Sequence, residues 1–154
     1  MQEMISNIFA PLFEVTLSPE TDPFLDSFLQ NISGFDSVDD ESRGGRDDPT
    51  VLPVDWTSPD NPSYKYYSYY IWANITVLNQ LRRARGFSTF DFRPHCGEAG
   101  NITNIDVGFL LADRTYCTSK GVGCPSQPLP LCNLCMTQLM GLVSVSSVVV
   151  MRLV

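Results

Sequence analysis

A long helical pattern between two strand patterns is the feature that most constrains the fold of this 154-residue chain. Residues 64–85 carry an apolar stripe at helical spacing, formed by Tyr67, Ile71, Ile75, Leu78 and Leu81. Arginines near the end of this pattern favour the negative end of a helix dipole, and Gly86 is a natural stop. The apolar-rich run Ile32–Val38 and the alternating run Thr89–Phe92 predict a strand on each side. Two strands joined through a helix favour a parallel βαβ unit.

Further helices are predicted on both sides of this unit. Met4–Phe13 has apolar residues at helical spacing, and Ser18-Pro19-Glu20 has a capping serine, then proline and an acid, as at a helix start. The apolar face of this second helix is predicted at Phe24, Leu25, Phe28 and Leu29. A last helix is predicted over Asn101–Ala112, and a long loop over Ser42–Ser63. The order is helix, strand, helix, strand, helix, which is typical of the α/β class.

The composition of the chain changes at Asp113. All 17 acidic residues lie between Glu3 and Asp113, whereas four of the five cysteines follow that point. We therefore treat residues 1–113 and 114–154 as different kinds of sequence. The net charge of −7 argues against a nucleic-acid-binding groove, because basic clusters supply most of the affinity for nucleic acid.

The two ends of the chain predict neither secretion nor a membrane anchor. Met1–Ala10 has no basic segment followed by a long apolar core. The apolar run Met140–Met151 is interrupted by serines and is shorter than the ~20 residues of a membrane-spanning helix. The sequence therefore predicts a cytoplasmic protein.

His95 is the only histidine of the chain, and it follows the second predicted strand closely. Glu98 lies three residues further on, between Gly97 and Gly100, which allow a tight turn. A neutral imidazole is a zinc ligand, and a nearby carboxyl group is a proton donor or acceptor for hydrolysis. The alternative from spacing alone is a hydrogen-bonded loop histidine beside a solvated glutamate.

Four carboxylates cluster at the end of the first predicted strand: Asp36, Asp39, Asp40 and Glu41. Such a cluster can hold a metal ion or a polar group of a substrate. The alternative is a solvated acidic loop.

Two further patterns have a structural and a functional interpretation. The tyrosines at the start of the long helix predict either a stacking surface or helix packing; they are Tyr64, Tyr66, Tyr67, Tyr69 and Tyr70.

Cys132 and Cys135 form one CxxC pair, which is half of a zinc or redox motif. No second CxxC pair and no later histidine accompany them, and this favours a segment without a metal site.

The segment Phe92-Arg-Pro-His-Cys-Gly-Glu-Ala-Gly100 is the most specific motif of the chain. Six further segments accompany it: Pro11-Leu-Phe-Glu-Val-Thr16, Gly34-Phe-Asp-Ser-Val-Asp-Asp-Glu-Ser42, Tyr66-Tyr-Ser-Tyr-Tyr70, Ala73-Asn-Ile-Thr-Val-Leu-Asn79, Leu81-Arg-Arg83 and Phe109-Leu-Leu-Ala-Asp113. Together, and in this order, they resemble the AMP deaminases, zinc-dependent purine nucleotide deaminases of the adenosine deaminase superfamily. The resemblance covers residues 3–113.

The resemblance implies a (β/α)8 barrel of which this chain carries an incomplete middle portion. Residues 32–41 would be strand 4 and residues 89–98 strand 5. His95 would be a zinc ligand, and Glu98 would donate a proton to purine N1. The implied reaction is the hydrolytic deamination of AMP to IMP and ammonia. The same resemblance leaves other substrate-binding residues unknown, and it implies an oligomer only for an intact family member.

The chain also departs from the family pattern. It lacks the His-x-His pair of strand 1 and the Asp-Asp pair of strand 8, and Arg114-Thr-Tyr-Cys-Thr-Ser-Lys-Gly121 replaces the His-Gly segment of strand 6. Because catalytic zinc needs about three protein ligands, we expect no activity from this chain alone. We interpret residues 114–154 as an irregular tail from a frameshift or a retained intron, and we expect sequence to be missing before Met1 as well.

Three other functions stay open at this level: a deaminase of free adenosine, a truncated isoform that binds the full-length enzyme, and a small cysteine-rich metal module in the tail. The tyrosine-rich helix and Arg93-Pro94 before His95 favour the nucleotide enzyme over the nucleoside enzyme.

Overall fold

The computed structural model of the chain describes residues 1–38, 42, 50–97, 99–113 and, as backbone, 147–152. In these residues the α-helices and strands follow in the order α1 (Gln2–Leu17), α2 (Pro23–Gln30), β1 (Ile32–Val38), α3 (Tyr64–Ala84), β2 (Asp91–Phe92), α4 (Ile105–Leu111) and β3 (Ser147–Arg152). Short 3-10 turns occupy Pro19–Thr21, Pro53–Asp55 and Ile102–Asn104.

The described strands form one parallel sheet in the order β2-β1-β3. Gly34 pairs with Asp91 and Phe35 with Phe92, so β1 and β2 are neighbours joined through α3. This confirms the parallel βαβ unit and the α/β class. The (β/α)8 barrel, with β1 and β2 as its strands 4 and 5, stays a prediction.

Strand β3 corrects the prediction of a wholly irregular tail. Residues 147–152 pair in parallel with β1 from Ile32 to Val38, with a register shift between Ile32 and Gly34. The physical reason is the run of β-branched valines at 148–150, which favours extended backbone beside an available strand edge. Residues 114–146 and 153–154 lie outside the described part of the chain.

The core lies where α1 and α3 pack on one face of the sheet. Phe35 in β1, Phe92 in β2 and Phe90 just before β2 are at most 3% exposed, and the rings of Phe35 and Phe90 meet edge to face at 4.9 Å. The helices add buried residues to the same cluster: Ile5, Phe9, Leu12 and Val15 from α1, and Tyr67, Ile71, Ile75 and Leu78 from α3. This burial confirms the stripe predicted for α3 as far as Leu78.

At the next position of that stripe, the buried residue is Arg82 rather than Leu81. Arg82 is 2% exposed, and its guanidinium lies 4.3 Å from the ring centroid of Phe90. It donates from Nε to the carbonyl of Ser88 at 2.6 Å and from Nη1 to Thr16 Oγ1 at 3.3 Å. Burial lowers its pKa, which the charge of Asp26 partly offsets. Arg82 therefore links α1, α3 and the segment that leads into β2.

The second helix begins later than predicted. Ser18-Pro19-Glu20 starts a 3-10 turn, and α2 begins after Asp22, whose Oδ1 accepts from Leu25 N at 2.9 Å. The same signature of a capping residue followed by proline thus occurs twice. The predicted apolar face is only partly buried, since Phe24 is 89% and Phe28 is 51% exposed.

The last helix is also shorter than predicted: residues 102–104 form a 3-10 turn, and α4 covers Ile105–Leu111. Across the described residues, no helix is both long and apolar enough to cross a membrane.

Candidate functional site

The candidate site lies at the carboxyl ends of β1 and β2, which adjoin because the strands are parallel. After β2 ends, the pairing with β1 continues through single hydrogen bonds from Arg93 N to Phe35 O at 2.7 Å and from His95 N to Ser37 O at 3.2 Å. The backbone of His95 is thereby held beside the end of β1. The side chain of Asp36 lies in the same region.

The central contact joins His95 Nδ1 and Asp36 Oδ1, which lie 2.8 Å apart. The side chain of Asp36 is 6% exposed and that of His95 is 27% exposed. Burial raises the pKa of the Asp36 carboxyl, while the hydrogen bond and charge of His95 oppose this rise. An ionised carboxylate only accepts hydrogen bonds, so Nδ1 donates when Asp36 is ionised. The lone pair with which imidazole binds a metal then lies on Nε2.

Glycine is required at position 34, where the two strands approach each other. A Cβ atom at Gly34 would lie 2.7 Å from the carbonyl oxygen of Asp91 and 3.1 Å from Arg93 Nε. The space beside Gly34 is occupied by the side chain of Arg93, which forms an ion pair with Asp91 at 2.9 Å. Because Gly34 leaves room for this pair, β1 and β2 keep the spacing that brings Asp36 to His95.

In the described part of the chain, side chains bind the outer edge of β2 and of Phe90, the residue before it. Asn79 on α3 donates from Nδ2 to the carbonyl of Phe90 at 2.7 Å and accepts from its N–H at 2.8 Å. Asp113 accepts from Phe92 N at 2.9 Å through Oδ2, and its own N–H donates to Phe92 O at 3.0 Å. Asn79 and Asp113 were not predicted as contributors to the site, because polar residues beside an apolar stripe give no sequence signal of this pairing.

The tyrosines on α3 are mainly packing residues, as one of the two interpretations predicted. Tyr64, Tyr66 and Tyr67 are at most 7% exposed, whereas Tyr69 is 49% exposed. Tyr70 is half-buried and lies against Tyr66 and Tyr69. Tyr64 has an additional contact, since its hydroxyl donates to the carbonyl of His95 at 2.5 Å. The sequence did not indicate this contact between residues far apart in the chain.

The structure brings together two of the predicted site residues, His95 and Asp36. Glu98 lies outside the described residues, and so do Asp39, Asp40 and Glu41 from the acidic cluster. Gly97, immediately before Glu98, has a φ of +80°, so the chain turns there through a conformation that favours glycine. Cys132 and Cys135 also lie outside the described residues.

The donor set around His95 fits one metal ligand. Ligating histidines characteristically donate their other ring N–H to a carboxylate or carbonyl, and Asp36 Oδ1 is placed 2.8 Å from His95 Nδ1 to accept such a bond. A catalytic zinc ion takes about three protein ligands. Among the residues that the structure describes, no group of three or more His, Cys, Asp or Glu side chains is placed to hold a metal ion. The described residues therefore provide one candidate ligand and a carboxylate beside it, not a whole metal site.

The sequence profile of the AMP deaminase family matches residues 1–129. The chain is 48% identical to AMP deaminase 1 of Mus musculus over 130 residues, which cover 82% of this chain and 17% of the mouse protein. It is 54% identical to AMP deaminase 3 of Homo sapiens over 115 residues, which cover 73% of this chain and 15% of the human protein. It is 49% identical to the AMP deaminase of Saccharomyces cerevisiae over 113 residues, which cover 72% of this chain and 14% of the yeast protein.

The chain belongs to the AMP deaminase family, as its motifs predicted. It spans between 14% and 17% of the length of these relatives. The profile match continues past Asp113 to residue 129, and the domain boundary at Asp113 stays a prediction.

Proposed function

We propose that this chain is part of an AMP deaminase that removes the 6-amino group of AMP hydrolytically, giving IMP and ammonia, in cytoplasmic purine nucleotide metabolism. Family membership supports the reaction. The observation that carries the proposal is the hydrogen bond between His95 and Asp36 at the carboxyl ends of adjacent parallel strands. That is the end of the strands at which (β/α)8 enzymes build their active sites.

In this proposal β1 and β2 are strands 4 and 5 of a (β/α)8 barrel. Their parallel pairing and their connection through α3 agree with two consecutive βα units. Strands from the rest of a longer chain would complete the barrel and its metal site. The exposed Phe24 and Phe28, and the surfaces that the other barrel strands would cover, lead us to expect poor solubility of the chain alone.

His95 would hold a zinc ion through Nε2, and Asp36 would orient the ring and keep the proton on Nδ1. When bound, zinc makes water a better nucleophile at neutral pH by lowering its pKa. Glu98 would donate a proton to N1 of the purine, which makes C6 more electrophilic. One zinc ligand is not a catalytic site, so we expect no turnover by this chain without the other barrel strands.

A chimera with the yeast relative tests this proposal. The matching segment of the Saccharomyces cerevisiae enzyme, 49% identical over 113 residues, is replaced by that of this chain, and ammonia release from AMP is measured. We expect an active, zinc-dependent chimera. His95→Ala should abolish activity, and Glu98→Gln should lower it roughly 10²- to 10⁴-fold. Glu3→Gln, the same change at an exposed position, should have no effect.

The chimera also separates the alternatives. Faster turnover of adenosine than of AMP would replace the proposal with a nucleoside deaminase. A folded chimera that turns over neither compound would contradict both. If this chain instead co-purifies with a full-length subunit and changes its activity, it is a non-catalytic isoform.

A further inference from the structure

Helix α3 contacts the segment that leads through β2 to His95 at three backbone carbonyls. Arg82 near its C-terminal end binds the carbonyl of Ser88, and Asn79 binds that of Phe90. At the opposite end of the helix, Tyr64 binds the carbonyl of His95 itself. The helix therefore holds this segment along its length, and Tyr64 is the contact nearest the proposed chemistry.

Tyr64 is itself firmly held. It is the first residue of α3, directly after Ser63, whose hydroxyl accepts from the N–H of Tyr66 at 3.3 Å. Its side chain is buried, and its ring meets Tyr67 edge to face at 5.4 Å with an interplanar angle of 81°. A hydroxyl on a buried, packed ring has little freedom, so its hydrogen bond restricts the position of the acceptor.

The backbone of His95 is hydrogen-bonded on its β1 side and on its α3 side. Strand β2 ends at Phe92, and Pro94 has no N–H to donate. On the side of β1, His95 N reaches Ser37 O at 3.2 Å, a longer bond than the 2.5 Å from the Tyr64 hydroxyl to His95 O. The hydroxyl of Tyr64 thus restricts the position of the His95 carbonyl.

We propose that Tyr64 is a positioning residue, which fixes the backbone of His95 so that the imidazole keeps its hydrogen bond to Asp36 and presents Nε2 to the metal. The second half of this statement rests on the proposed function, in which His95 is a zinc ligand. The first half concerns the chain alone.

The test uses the full chain and its single histidine, because one imidazole gives uniquely assigned ring signals in nuclear magnetic resonance. Tyr64→Phe removes the hydroxyl and keeps the ring. Tyr66→Phe is the matched control, since that hydroxyl donates to Val51 O at 2.6 Å from the same helix. For each variant we measure the exchange of the His95 Nδ1 proton with water and the stability to urea.

We expect Tyr64→Phe to accelerate exchange of the His95 Nδ1 proton roughly two- to tenfold, the factor corresponding to the net contribution of one hydrogen bond. Tyr66→Phe should leave this rate unchanged although it also lowers stability. Equal exchange in Tyr64→Phe and the unmodified chain would overturn the proposal. So would an equal acceleration in both variants, which would indicate general loosening.

The unmodified chain provides a second measurement if Tyr64→Phe does not fold. A slowly exchanging Tyr64 hydroxyl proton with a nuclear Overhauser contact to the α proton of His95 supports the proposal, and absence of that contact overturns it. Neither readout needs zinc or turnover. An inactive chimera would therefore contradict the proposed function without affecting the proposed role of Tyr64. Equally, a failed test of Tyr64 would leave the proposed function unaffected.

Discussion

Asn79 is expected to contribute more to stability than an asparagine on a helix usually does. Its carboxamide makes two hydrogen bonds to the backbone of Phe90, at 2.7 and 2.8 Å, as a neighbouring strand would. Phe90 is 1% exposed and immediately precedes β2. Replacing Asn79 by alanine removes both partners from a buried N–H and a buried C=O.

The magnitude follows from the two polar groups. A buried backbone group left without a partner costs about 1–3 kcal/mol, so two groups cost roughly 2–6 kcal/mol. Alanine returns about 0.5 kcal/mol through its higher helix propensity. Asn79 is half-buried, which lets water reach part of the site and favours the lower half of the range. We expect a net loss of about 1.5–3.5 kcal/mol.

Urea unfolding of the full chain, followed by tryptophan fluorescence, measures this loss. Gln80→Ala is the control, since Gln80 is exposed on the same helix and should change stability by less than about 0.5 kcal/mol. The amide proton of Phe90 should exchange faster in Asn79→Ala only. If Asn79→Ala and Gln80→Ala are equally stable and Phe90 stays protected, the two hydrogen bonds do not hold β2 and the reasoning is wrong.

Three further predictions concern the strands, the core and the site. Gly34→Ala should lower the free energy of unfolding by roughly 1–3 kcal/mol and make the backbone amides of β1 and β2 exchange faster. The control is Gly86→Ala, at φ +76° with open space around it, which should cost about 1–2 kcal/mol and leave those amides protected. Arg82→Ala should lower the free energy of unfolding by roughly 1.5–3 kcal/mol through the lost charge-assisted hydrogen bonds, while exposed Arg83→Ala changes it by less than about 0.5 kcal/mol in the same urea assay. In the yeast chimera, Asp36→Asn should reduce AMP deamination about 10- to 100-fold, and unchanged activity would remove Asp36 from the site.

Elements with a strong local pattern were predicted well from the sequence. Strand β1 has the predicted bounds, and α3 ends within one residue of the prediction because its stripe, its caps and Gly86 agree. The start of α2 was misplaced, since two capping signatures stand four residues apart and only the second, at Asp22, forms a side-chain cap. Strand β3 was missed, because its pairing depends on an edge of β1 far away in the chain.

The candidate site was predicted in part. His95 was identified by its place after a strand and by the family motif, and Asp36 by its place in an acidic cluster. The sequence did not indicate that Asp36, among four carboxylates, hydrogen-bonds His95. Tyr64 and Asn79 were likewise not identified as contacts of the β2 segment, because the sequence separates each of them from its partner.

The sequence by itself determined the α/β class, the family and the residue types available for chemistry, because periodicity, turn residues and motifs are local properties of the chain. Only the tertiary structure decided which partners those residues have. A parallel sheet places the ends of β1 and β2 side by side although the whole of α3 separates them in the chain. The contact of His95 with Asp36 at 2.8 Å arises from that register, and its contact with Tyr64 at 2.5 Å arises from the packing of α3 against the β2 segment.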